Sequence, residues 1–64
     1  MQVDRTDYQA AHGKLPRGFG LWQFALGRNG SWTTFSQTGN FGEALAAAKH
    51  EARALGCTII AVQS

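Results

Sequence analysis

The side chains of this chain that could do chemistry are two histidines, one cysteine and a set of hydroxyls, and their spacing limits what they can do. His12 and His50 could share a metal ion only if the fold brought them together with an acid such as Glu51, because a metal site needs three or four converging ligands. Cys57 is the only cysteine, so there is neither a thiolate pair for zinc nor an intrachain disulfide. It falls just past an expected helix, at the negative end of the helix dipole, which is the wrong end to support a nucleophilic thiolate. Ser31, Thr33, Thr34, Ser36 and Thr38 belong to strands and turns, with no base tied to them by spacing. Gly18-Phe19-Gly20 and Gly27-Arg28-Asn29-Gly30 have the glycine content of phosphate loops, but such a loop follows a strand and opens a helix. Here one precedes a strand and the other joins two strands. Thr38-Gly39-Asn40 does lead into a helix and reads as a plain cap. These residues make no catalytic set. The chain is expected to be no enzyme, and to take no metal and no cofactor.

The elements that must position these side chains are announced by their turns. Asn29-Gly30 separates two strand-like runs, Leu21–Leu26 and Ser31–Gln37, and such a pair is the strongest short-range hairpin signal. A two-residue turn at 29 and 30 pairs Phe24 with Phe35, Trp22 with Gln37 and Leu26 with Thr33. Directly opposed residues share a face. Trp22, Phe24, Leu26 and Phe35 therefore form one apolar face, the expected core side. Leu21, Gln23, Ala25, Trp32, Thr34 and Ser36 form the other. Asn40 and Glu43 then have the spacing of a capping box, and Gly56 is a left-handed stop. Between them Phe41, Leu45, Ala48, Ala52 and Leu55 recur at helical spacing, with Ala44 widening the stripe. The run Cys57–Val62 is continuously apolar or β-branched and suits a strand in the middle of a sheet.

A helix between the second and third strands makes those two parallel, and a right-handed crossover puts the third beside the first. The expected fold is α+β: a single two-layer β-β-α-β domain over residues 19–64. Its mixed sheet has three strands in the order 2-1-3, with one helix on one face and the other face bare. Residues 1–18 show no clear period and are broken by Gly13, Pro16 and Gly18. They read as a flexible or partner-ordered arm with at most a helical turn over Asp7–His12.

The bulk composition bounds the partners. A chain of 64 residues is one domain, and a domain of this size buries only about 60% of its unfolded surface. Without disulfide or metal, association with another chain is the remaining source of stability. The net charge is +2, from six Lys/Arg against four Asp/Glu, and the cations are scattered, which is no nucleic-acid footprint. No apolar run reaches the ~20 residues that span a bilayer. The first residues do not read as a signal peptide, and a single thiol suits a reducing, cytoplasmic setting.

Two surfaces are left for a partner. The bare sheet face carries Trp32, Gln23 and Thr34, with Arg28 on its rim. Lys14 and Arg17 in the arm could add positive charge. These six residues are the expected contact set for a protein partner, with homodimerisation as one form of such contact. Alternatively they serve nucleic acid, with Trp32 as a stacking platform and the cations on phosphates. The outer helix face, with Ala46, Ala47 and Ala54, is smooth enough for close approach of another backbone.

From Gly20 to Val62 the chain shows Gly20-x-Trp22-x-Phe24, then Phe35, then Glu43-Ala44, Ala48-Lys49 and Glu51-Ala52, and finally Gly56 and Ile59-Ile60-Ala61-Val62. This pattern resembles the small uncharacterised β-β-α-β proteins of bacteria and their phages. Phe24 stands where those proteins tend to have valine. The resemblance implies the fold and no site. It also implies a phage or plasmid accessory protein, of the kind that inhibits host complexes, anti-CRISPR proteins included. The hairpin followed by a helix is similar in part to the arm-binding domains of phage integrases, which place their third strand before the helix.

Overall fold

Asn29 and Gly30 both adopt positive φ, 50° and 83°, as a two-residue hairpin turn with the twist of its strands requires. The computed structural model, which describes residues 1–63, extends the hairpin well beyond the runs that announce it. Strands β2 (Phe19–Arg28) and β3 (Ser31–Asn40) are numbered here after a short N-terminal strand described below. They pair without interruption from Arg28↔Ser31 to Phe19↔Asn40, and Phe24 lies opposite Phe35 as the turn dictates. The face assignment follows. Trp22, Phe24 and Leu26 are buried, and Phe35 packs against them half-buried.

Helix α2 (Phe41–Leu55) starts and stops where its local signals say. At its end Gly56 takes φ 75°, its N–H reaches Arg53 O, and Cys57 N–H reaches Ala52 O at 2.7 Å. Those two bonds satisfy the last carbonyls in a Schellman arrangement. The start differs from the expected capping box. The Asn40 side chain makes no bond to the helix backbone and instead donates to Glu43 Oε1 at 3.4 Å. Phe41, Ala44, Leu45, Ala48 and Ala52 are buried, but Leu55 is 40% exposed, because the last turn runs past the edge of the core. The closing strand β4 is shorter than the run that suggested it, Ile59–Val62. Cys57 is buried in the connection. β4 lies antiparallel to β2, so the order β3-β2-β4 is the expected 2-1-3.

The N-terminal segment is where the structure corrects the sequence. The sheet has four strands, not three, and the first residues are no loose arm. Gln2–Asp4 form β1, parallel to β4 with Val3 beside Ile60, and Thr6–His12 form the helix α1. The full order is β1-β4-β2-β3. β4 therefore lies inside the sheet, which explains its apolar run. α1 has seven residues, too few to be stable alone. Its stability is tertiary: Tyr8 stacks on His12 at 4.2 Å and meets Trp22 at 5.5 Å between centroids. Gly13, at φ 69°, closes it with a bond to Gln9 O.

These contacts complete a file of rings through the core side. It runs from Tyr8 to Trp22, to Phe41 at 4.9 Å edge-on, to Phe24 at 6.2 Å and to Phe35 at 6.4 Å, spacings at which aromatic rings attract. The Trp22 indole N–H is shared between Gly18 O and Gly39 O, at 3.2 and 3.1 Å. It thereby ties the open end of the hairpin to the segment entering it.

Candidate protein-binding face

Alternation along the strands decides what the uncovered face of the sheet carries. Even-numbered residues of β2 point to the helices, so Phe19, Leu21, Gln23, Ala25 and Gly27 point away from them. Opposite these, β3 contributes Trp32, Thr34, Ser36 and Thr38, and β4 contributes Ile59 and Ala61.

Trp32 lies directly across from Gly27, and its ring occupies the space a side chain there would need. A Cβ on Gly27 would come within 2.7 Å of Trp32 Cζ3 and would also strike Ile59. Glycine thus lets the six-membered ring of the indole come close against the sheet. Trp32 remains 55% exposed. Beside it a shallow trough of about 500 Å³ is lined by Asp4, Asp7, Ala25, Trp32, Thr34 and Ala61, with Gln63 at its end. Asp4 accepts a hydrogen bond from the Thr6 backbone N–H at 2.9 Å. Hydrogen bonding from Thr6, side chain first and backbone second, holds the Asp4 carboxyl below the ordinary carboxylate range, so it is an anion at neutral pH.

The six residues expected to form the contact set do not converge. Trp32, Thr34 and Gln23 share the open face. Arg28, expected on the rim of that face, turns the other way: its Nη1 donates to Leu55 O at 3.3 Å and its guanidinium lies against Gly56. There it complements the negative end of α2. Arg17 lines a second hollow toward the far end of β2 with Tyr8, Phe19, Leu21 and Gln23, and Gln63 borders both this hollow and the trough; Lys14 is exposed in the connection before it. Phe19 and Arg28 are nine residues apart on one strand, about 30 Å, so the arm cations and the hairpin tip cannot act as one patch.

Residues missed by the sequence reading complete the face. Asp4 and Asp7 come from the segment taken for an arm, and nothing local announces their place. Phe19, 78% exposed, is legible from the register that exposes Trp32, which already places Leu21, 64% exposed, on the same face. Among the described residues no group of three His, Cys, Asp or Glu side chains gathers as a metal site would require. Nor, among these residues, is any helix long and apolar enough to cross a membrane. No protein-family model, curated protein or solved structure matches this chain.

Proposed function

We propose that the protein is a non-enzymatic binding module that uses its open sheet face to hold another protein and so modulate it. The observation that carries this reading is Trp32, a half-exposed indole packed over Gly27, with the carboxylates of Asp4 and Asp7 along the same trough. Tryptophan on such a surface is the residue type that most often dominates protein contacts. The two carboxylates define the complement: an apolar or aromatic group to cover the indole, and a lysine or arginine to meet the acids. The same carboxylates repel phosphate, and Arg28 is engaged with α2, so the nucleic-acid alternative has less support. The lone unpaired thiol fits a cytoplasmic setting.

The test uses the native chain and its Trp32→Ala variant as paired baits on extract of the source cells. Mass spectrometry and nucleic-acid staining are applied to both eluates. A protein retained by the native bait and lost with Trp32→Ala, with affinity falling by about 2 kcal/mol or more, is the expected outcome. Retained nucleic acid, or identical eluates from both baits, overturns the reading.

A further inference from the structure

The free edge of β3 carries an inference separate from the open face. β3 is bonded on one side only, to β2, and lies at the end of the sheet. A two-residue turn makes Arg28 and Ser31 a hydrogen-bonded pair, and such pairs recur at every second residue. Residues 31, 33, 35, 37 and 39 therefore bond to β2. The N–H and C=O groups of Trp32, Thr34, Ser36 and Thr38 point outward with no strand beside them. The other edge of β2 shows the complementary parity, since Gly27 O and Gln23 O accept from Thr58 and Gln63.

A free edge is normally blunted by charge, proline, a bulge or brevity. The opposite edge, β1, is three residues long and carries Asp4. β3 has none of these guards. It is ten residues long, Ser31–Asn40, with no charged residue and no proline, and its register to β2 never slips.

We infer that β3 is the seam of a two-fold homodimer, in which the β3 strands of two copies pair antiparallel about an axis through Phe35. The pairing 34↔36 and 32↔38 is its own mirror under the two-fold. It is the register in which all four outward-facing residues find a partner. Self-pairing sets the strand against its own sequence, so charges of one sign would be brought close together, whereas this strand has no charge to oppose. Phe35, half-buried on the helix side, meets Phe35 of the second copy across the axis, extending the file of rings from one core to the other. The result is one sheet of eight strands, four from each copy, ending at both sides in the guarded β1. Assembly therefore stops at two. The open faces of the two copies become continuous and display both Trp32 rings.

The experiment is sedimentation velocity of the native chain over a wide concentration range, with amide hydrogen exchange by NMR on the same samples. The expected result is a species of twice 6.9 kDa in which the amides of Trp32, Thr34, Ser36 and Thr38 are protected, increasingly so at higher concentration. Ser36→Pro removes one outward N–H and no bond to β2, a position where an edge strand tolerates proline. It should sediment as a monomer with the native circular dichroism. A native chain that is monomeric at the highest attainable concentration overturns the inference. So does a dimer whose four amides exchange freely, or one that survives in folded Ser36→Pro. If Ser36→Pro fails to fold, the exchange pattern of the unaltered chain decides. Trp32→Ala keeps the seam's backbone, so loss of partner capture and loss of the dimer are separately readable.

Discussion

Gly27 and Arg28 are adjacent, and each has a role that its type alone does not reveal. Glycine at 27 is required by the ring of Trp32, since a Cβ there has no room. Gly27→Ala should lift the indole from the sheet or displace Ile59, costing about 1–3 kcal/mol as overpacking does. Chemical denaturation would measure the loss, and a shift in Trp32 fluorescence would locate it. Arg28 reads in the sequence as a cation free for a partner. In the fold its guanidinium serves the C-terminus of α2. Arg28→Ala should lower stability by about 0.3–1 kcal/mol, the usual scale of an exposed charge at a helix end, and leave partner capture through Trp32 unchanged. Capture that fails while stability holds would show that Arg28 belongs to the contact surface.

At the scale of elements, the contrast is between the two helices. α2 is written locally, with a C-terminal glycine, a spaced apolar stripe and fifteen residues of length. α1 is held by what surrounds it: the Tyr8–Trp22 contact and the turn in which Asp4 accepts from Thr6. That turn links α1 to pH. The carboxyl of Asp4 is lowered from its ordinary value in the folded chain and lies near 3.9 when unfolded. Its contribution is therefore fully present above about pH 4. It is lost as pH falls through the lower folded value. Asp4→Asn should lower stability slightly at neutral pH, where the carboxylate is present, and flatten the acid limb, so that the variant and the native chain converge in strong acid. Acid titrations followed by circular dichroism, with exchange at the α1 amides, would check it. An unchanged acid limb in the variant would remove Asp4 from the account.

As a whole molecule, the chain is already closed on itself. Its accessible surface, 4085 Å², is close to the roughly 4,000 Å² of an ordinary folded protein of this mass. Association at β3 would therefore join two folded copies and not complete an unfinished core. A dimer of this kind binds only the native state, so the melting temperature should rise with protein concentration. It should lose that dependence in Ser36→Pro. A concentration-independent melting temperature in the native chain, with no dimer in sedimentation, would leave β3 as a bare edge.

What the sequence by itself determined follows from local rules. A two-residue turn that needs positive φ at Asn29 and Gly30 sets every pairing from Phe19 to Asn40. That register assigns each aromatic of the hairpin to a face before any tertiary contact is known. The extent of α2 and the place of the closing strand beside β2 follow equally from capping, periodicity and crossover handedness. Only the tertiary structure decided the rest. β1 forms because β4 offers it an edge, α1 because Trp22 offers Tyr8 a surface, and Arg28 turns inward because the end of α2 lies beneath the hairpin tip. Each of these depends on groups far apart in the chain, whose local residues are weak in propensity and irregular in period. The acidic margin of the Trp32 face arrives with them, from the segment whose own sequence had least to say.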